Sequence, residues 1–407
     1  MRLSLSCDPA RHLSGLLFSL FLDGRICTVV PSDDGGDDSA AIIAAFEQCS
    51  VDASVVFLNA TYHIERVMKT TGLRNVKVDL GGTLLWGTDI AYWTNNSLPL
   101  GYQNMTLAWE FGGDDVLFTG NGHGTFDGNG QIWYEYAHGV SNKPGRPINF
   151  VIRNTTNSVF EGLRFVQSQF WTMAIHTAEN LLLDNIYINS TSNNSAQTQN
   201  TDGIDTFYAN NITMRNWDVT CGDDNISLKA NSSNVLVQDS VFHGGNGVAI
   251  GSIGQYPGVY EFIANFTAER VTAIGSAYAG YLKTWTGVEQ NFPPNGGGGG
   301  LGYAKNLTFR DFNVTDLRQD VAFITQCTSF SGASGGCDTS TFQISDVTWG
   351  PVRGTAKQHV AEFQCSAAAP CPGIALVDVD VATPSSAQKI TCSNVVDPVG
   401  FNCSTGS

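Results

Sequence analysis

Positive charge is scarce in this 407-residue chain: 21 Lys and Arg stand against 37 Asp and Glu, a net charge of −16. Neutralising phosphates takes clustered Lys and Arg, and no basic stripe occurs, so nucleic acid and an anionic membrane surface are ruled out as partners. Charge of either sign is low at 14% of residues, beside 42% hydrophobic residues and no run of like charge, which excludes disorder and a coiled coil. No apolar run reaches the length of a membrane span. Leu13 to Leu22, preceded by Arg2 and Arg11, has the length of a signal-peptide core, so residues 1–25 are expected to be a targeting segment; a shifted gene start or a buried segment is the alternative. No C-x-x-C pair occurs and the seven His are scattered, so zinc spacing is absent and no metal or cofactor is expected. With no Pro/Ser linker, 26–407 reads as one domain and the protein as a monomer.

The ten Cys then read as disulfides. Cys327 with Cys337, Cys365 with Cys371 and Cys392 with Cys403 would close short loops, Cys27 with Cys49 would tie the N-terminus, and Cys7 and Cys221 are left over. Sequons, among them Asn95, Asn193, Asn211, Asn225, Asn265 and Asn306, independently favour an oxidising, extracellular destination, and secretion is expected.

Repetition is what the chain has in quantity. Asn157–Phe165, Asn180–Ile188, Asn211–Val219, Asn234–Phe242, Asn265–Ala273 and Asn306–Val314 share one template, apolar mostly at the second, fourth, seventh and ninth places; Thr341–Trp349 repeats it without the Asn. The alternation has a strand's period of two, broken once by polar or small residues such as Arg215-Asn216. A unit of about 22 or 23 residues made of short strands cannot bury its own apolar face and must stack on its neighbours. The expected fold is all-β, a parallel β-helix solenoid, with the recurring Asn forming an internal ladder at one corner. A leucine-rich repeat is the competing solenoid, but its L-x-x-L-x-L frame is missing. Asp37–Gln48 is expected to form a short helix capping the N-terminal coil, and the tail after Cys365 to close the other end. Tyr92–Asn104, Asn129–Pro147 and Pro293–Gly302 would be raised loops.

Aligning the strand starts Ile204, Ile226 and Val248, each 22 residues apart, puts Asp202, Asp224 and Asn246 at equivalent positions on consecutive coils, with Asp223 beside Asp224. Stacked strands lie about 4.8 Å apart. Carboxylates that close repel, so one should be held protonated beside an ionised neighbour, the division of labour that glycosidic hydrolysis requires. Asp and Asn also suit turns, and a purely structural corner is the alternative. Gly332-Ala333-Ser334-Gly335-Gly336 matches G-x-S-x-G but lacks the strand-to-helix setting of a nucleophilic serine.

Asn200-Thr201-Asp202-Gly203-Ile204-Asp205 and Gly222-Asp223-Asp224 resemble the NTDGxD and [GQ]DD signatures of the polygalacturonase family of pectin-degrading glycoside hydrolases. Gly124-Thr-Phe-Asp-Gly-Asn-Gly130 followed by Trp133, Gly251-Ser252-Ile253-Gly254 and Lys283 add to the resemblance, which runs from about Cys27 to the C-terminus. It implies a right-handed parallel β-helix and single-displacement, inverting hydrolysis of a pectic polysaccharide. It further implies Asp223 as general acid, Asp202 with Asp224 as the pair that activates water, and Lys283 as contact to a substrate carboxylate. Asn200 and His176 would line the groove, a structural His being the alternative for His176.

Departures from the pattern bear on substrate. The family's G-H-G is Gly245-Asn246-Gly247, the Arg of R-I-K is Tyr281, and the Cys after the Asp pair is Asn225. Asn246 and Tyr281 thus replace two cations, and one carboxylate fewer is expected to be recognised, as in the rhamnogalacturonan-active branch. Gly254-Gln255-Tyr256-Pro257-Gly258 resembles a stretch of fungal exo-acting members. The expected activity is release of terminal galacturonic acid from homogalacturonan or rhamnogalacturonan, with an α-L-rhamnosidase or a silent carbohydrate-binding solenoid as alternatives. Trp93, Tyr102, Trp133, Tyr134 and Tyr136 are expected either to block the groove and stack on the terminal sugar or to pack under loops.

Overall fold

A computed structural model describes residues 24–290, 297–329, 336–384 and 390–404. Nearly all of the expected targeting segment, Cys7, residues 293–296 of the Gly-rich loop and residues 332–335 of the serine motif lie outside the described residues.

The chain is a stack of parallel coils. In the coil built from Met173–Asp184 and Tyr187–Asn189, straight segments 173–176, 181–184 and 187–189 are turned by Asn180 at φ 58° and Asn185 at φ 53°. Both sit in the left-handed region, which Asn tolerates better than other residues bearing a Cβ. The Asn that opens the repeat is therefore a backbone requirement, met at Asn157, Asn180, Asn211, Asn234, Asn265 and Asn306 with φ between 50° and 58°. Their side chains do form a ladder: Asn180 Nδ2 donates to Asn157 Oδ1 (2.9 Å), Asn211 to Asn180 (2.8 Å), Asn265 to Asn234 (3.0 Å) and Asn306 to Asn265 (2.8 Å). The expectation of an internal ladder is corrected, because all six are exposed. A left-handed residue at a convex corner turns its side chain outward. The ladder also breaks once, where Asn234 bonds Asn210 and not Asn211.

Inside, like residues stack in register: Leu228 pairs with Ile250, Ile250 with Leu282, Leu282 with Ile324 and Ile324 with Phe363. One apolar core thus runs from Val29 to Leu376. Each fully buried aliphatic or aromatic side chain contributes about 1.5–3 kcal/mol, and the repeat multiplies it coil by coil. The capping helix spans Ser39–Gln48, two residues later than expected, because Asp37 and Asp38 turn their carboxylates to other partners. Asp38 accepts from the backbone N–H groups of Ser32 and His63, and Asp37 from that of Ser39. Phe46 seals the first coil against Phe57, Trp109 and Phe111. Cys27–Cys49, Cys327–Cys337, Cys365–Cys371 and Cys392–Cys403 are bridged as the spacing suggested, and Phe401 packs on Phe363 at the far end (5.3 Å). Cys221 is free and buried.

Candidate active site

One outer face gathers the expected carboxylates. Strand alternation aims Ala174, Asp205, Ser227, Ala249, Tyr281, Phe323 and Glu362 outward in a single column, each paired with the next. Two residues before each strand start, the corner holds Asp202, Asp224, Asn246, Tyr278, Asp320 and His359 on successive coils. The glycine of the N-T-D-G motif has a steric cause: a Cβ on Gly203 would lie 2.2 Å from the Asn225 carbonyl oxygen, so only Gly lets the coils bearing Asp202 and Asp224 close. Gly251 is similarly bound, since its Cβ would lie 2.2 Å from the Lys283 carbonyl oxygen at φ 104°. With Ala249 and Gly251 small on the coil between, Tyr281 and Lys283 lean across it to reach Asp224.

Oxygens of Asp202, Asp223 and Asp224 lie within 4.8 Å of one another. Lys283 Nζ is 2.9 Å from Asp224 Oδ2, Tyr281 Oη donates to Asp224 Oδ1, and Lys283 also donates to Tyr281 Oη (2.9 Å). Asn246 Nδ2 donates to Asp223 (2.9 Å) and Asp224 (3.2 Å), and Asn200 Nδ2 to the other oxygen of Asp223 (2.9 Å). Asn200 is itself fixed by the Asn142 N–H, 2.7 Å from its Oδ1. Seven of the eight residues read from sequence therefore converge. His176 stands apart, at the end of the straight segment 173–176 against Thr177, Phe207 and Tyr208, and burial lowers its pKa to about 4.

The three carboxyls titrate differently. Burial, then the charges of Asp223, Asp205 and Asp224, push Asp202 well above the usual carboxylate range. Burial and Asp224 raise Asp223 to about 6. Burial would raise Asp224 as well, but Lys283, Lys229 and hydrogen bonds from Tyr281 and Lys283 outweigh it and hold Asp224 below its ordinary value. The sequence argument assigned the shifts to mutual repulsion; burial leads, and repulsion adds to it. Near pH 5 the site thus holds an ionised carboxylate beside protonated carboxyls, the pairing suited to acid–base cleavage of a glycosidic bond. The same three Asp, and separately Asp320, His359 and Glu362, have the spacing of a cation site, but in the first group Lys283, Asn246 and Asn200 already supply the donors.

Sequence reasoning missed two buried cations. Lys229 Nζ lies 3.3 Å from Asp205 and 2.9 Å from the Gly251 carbonyl, over the Trp171 ring (5.6 Å). Burial and this partner leave Asp205 at a pKa of about 7. The 22-residue alignment that paired Asp202 with Asp224 also places Lys229 opposite Phe207, facing outward, so its position was legible. Arg146, 1% exposed, donates to the Gln169 and Gln199 carbonyls, and its field reaches Asp202 and Asp223. It arrives from a loop without period, and nothing in the sequence signals it.

On the N-terminal side the face is walled. Phe170, Trp171, Ala174 and Phe207 form a second apolar cluster under Leu100 and Leu107, with Tyr102 against Phe207 (4.9 Å). Leu98–Pro99 pairs antiparallel with Thr106 and Leu107, and the tip of this hairpin reaches the segment after the strand Val248–Ile253: Tyr102 Oη donates to Gln255 (3.2 Å) and the Gln103 N–H to Tyr256 Oη (3.3 Å). Trp93, Trp133 and Tyr134 are at most 1% exposed and cannot stack on a sugar; the packing alternative holds for them, and Tyr136 packs on Trp133. On the C-terminal side Tyr278 stacks on Tyr281 (4.6 Å) and Phe323 (5.1 Å). Asn225 is buried with Oδ1 accepting from the Gly247 N–H (2.8 Å), which leaves no room for a glycan at that sequon.

The sequence profile of glycosyl hydrolases family 28 matches residues 68–404. The chain belongs to this family. It is 46% identical over 383 residues to an α-L-rhamnosidase (rgxB) of Aspergillus niger, covering 93% of this chain and 89% of that protein. It is 32% identical over 379 residues to an exopolygalacturonase of Cochliobolus carbonum, covering 91% and 84%. The fold matches that of the endo-xylogalacturonan hydrolase of Aspergillus tubingensis with a TM-score of 0.76 at 22% identity, over 94% of this chain and 99% of that one. As a family 28 protein it is a glycoside hydrolase, which removes the silent binding solenoid from consideration.

Proposed function

We propose that this protein is a secreted, monomeric exo-hydrolase of pectic chains that releases a terminal L-rhamnose from a galacturonate-bearing neighbour, with inversion. Asp223, part-exposed and with a pKa of about 6, protonates the leaving glycosidic oxygen. Water attacks the anomeric carbon, the bond to the leaving oxygen breaks, and ionised Asp224 takes the water's proton. Asp202, held protonated, orients that water by a hydrogen bond; the sequence had it share the base role. Tyr281 and Lys283 keep Asp224 ionised, and Asn200 and Asn246 fix Asp223.

The observation that carries the exo reading is the wall: a hairpin bridging to Gln255 and Tyr256 beside the carboxylates leaves the groove open on one side. Rhamnose moves ahead of the galacturonate expected from sequence for two reasons. Asn246 and Tyr281 stand where the family's pattern has cations, and both are committed to Asp223 and Asp224, which leaves fewer cations for a carboxylate on the released sugar. The relative at 46% identity is named a rhamnosidase. Galacturonate release is the second reading, supported by the 32% identical exopolygalacturonase. Secretion is supported by four disulfides, and no helix among the described residues is long and apolar enough to cross a membrane.

Incubation with defined rhamnogalacturonan and galacturonan oligomers tests the proposal. Free rhamnose should appear first, free galacturonate would promote the second reading, and internal fragments alone would sink the exo claim. Asp223→Asn should lower kcat by about two to four powers of ten with binding retained.

A further inference from the structure

Replacing the family's Arg by Tyr281 takes a cation off the strand, and the Tyr281 hydroxyl is spent on Asp224. A second basic group nevertheless reaches the same corner by another route. Arg318 leaves the chain two residues before Asp320, and its N–H bonds to the Ser276 carbonyl of the preceding coil. The guanidinium runs back along the corner, Nε donating to the Gly275 carbonyl (3.0 Å) and Nη2 to the Gly245 carbonyl, which brings it beside Asn246, the amide that holds Asp223. Its bonds go to main-chain carbonyls, and no carboxylate among the described residues is its ion-pair partner, whereas Lys283 pairs with Asp224 and Lys229 with Asp205. Arg318 is exposed and lines, with Thr198, Gln199, Cys221, Gly222 and Gly244, an open depression of about 710 Å³ that abuts the Asp223 turn.

We propose that Arg318 is a specificity-determining residue that binds the carboxylate of a uronate on the leaving side of the scissile bond. The assignment rests on the exo reading: the wall fixes the released sugar on the N-terminal side, so the rest of the substrate extends toward the coils from which Arg318 reaches. A guanidinium held by two carbonyls has lost much of its rotamer freedom before substrate arrives, and its remaining N–H groups match a carboxylate fork. The expected discrimination is for a free acid on the leaving residue over its methyl ester, whichever sugar is released.

The test compares wild type, Arg318→Gln and Arg318→Lys on oligomers whose residue next to the cleaved bond is either a free galacturonate or its methyl ester, with melting temperature as the folding control. For the free acid, Arg318→Gln should raise KM about tenfold with kcat within about twofold, Arg318→Lys should recover part of the loss, and added salt should raise the wild-type KM. For the ester all three proteins should have the same KM. An equal KM rise on acid and ester, or none on either, overturns the assignment of Arg318 while the exo reading stands. A wild-type protein that releases no terminal sugar from either oligomer overturns the exo reading and this inference with it.

Discussion

Tyr281→Phe isolates how the site keeps one carboxylate ionised among three. The phenol donates to Asp224 Oδ1, while Lys283 and Asn246 hold the same carboxylate at 2.9 and 3.2 Å. Phe keeps the ring and its stacking on Tyr278, so the change removes one donor to a 1% exposed anion. A hydrogen bond to a charged acceptor contributes about 1.5–3 kcal/mol. At about 1.36 kcal/mol per pH unit that is about 1–2 units. The lower end applies, because two donors remain, and the pKa of Asp224 should rise by about one unit. The sign follows from the role: a base works ionised, so activity is lost as pH falls through its pKa, and a higher pKa moves that loss to higher pH. The alkaline limb, where Asp223 loses its proton near pH 6, should stay, because Asp224 is still ionised there. The profile of kcat/KM against pH should therefore narrow from its acid side. An acid limb that stays at the wild-type position would refute the assignment of Asp224 as the ionised partner.

The other expectations are as direct. Asp223 and Asp205 have folded pKa values of about 6 and 7, above the unfolded value near 4, so the folded state binds more protons in that window and stability falls as pH rises through it; the melting temperature should be lower at pH 8 than at pH 5, and the opposite slope would count against the burial argument. Asp224 does not set this slope, since a lowered pKa gives a contribution that is lost only below about pH 4. Tyr102→Ala with Gln103→Gly removes the hairpin's grip on Gln255 and Tyr256 and should add internal cleavage products, detectable by chromatography; an unchanged product pattern would mean the wall is not what enforces exo action. NMR of the first turnover should show the β-anomer from an α-linked substrate. Carboxyl oxygens within 4.8 Å are nearer the spacing of retaining enzymes, but adjacent Asp223 and Asp224 with Asp202 one coil away form a cluster on one side and do not flank the bond, so prompt α-anomer would overturn the mechanism.

The column Asp202, Asp224 and Asn246 was readable because a solenoid turns equal sequence spacing into equal position, so a 22-residue step is a statement about space. The same step contained Lys229, which an argument confined to carboxylates passed over. Side-chain direction at the bends was harder. Asn157 and its equivalents were recognised by recurrence, yet whether the amide points in or out depends on the left-handed φ that Asn and Asp tolerate better than other residues bearing a Cβ. Trp93, Trp133 and Tyr134 lie on segments that leave the period, where an aromatic reads alike whether it covers the coil or faces a ligand; burial decided for packing. Arg146 enters from such a segment too, and for it sequence offers no register to count along.

The net charge of −16 would repel an acidic polymer if it acted at long range. At physiological ionic strength the field of exposed charges decays over about 8 Å, less than two coils of the stack, so what a substrate carboxylate meets is set by the residues on its own few coils. There Lys283, Lys229 and Arg146 face Asp202, Asp205, Asp223 and Asp224, and Asp202, which burial pushes well above the usual carboxylate range, and Asp205, at about 7, are neutral in mildly acid solution. With those two protonated the buried cations outnumber the ionised carboxylates, and the local field turns attractive while the global one remains repulsive. On the proposed mechanism, the burial that keeps Asp223 a proton donor also keeps Asp202 and Asp205 neutral and so lessens the repulsion a pectic substrate would meet there, which would tie catalysis and binding to the same mildly acid range.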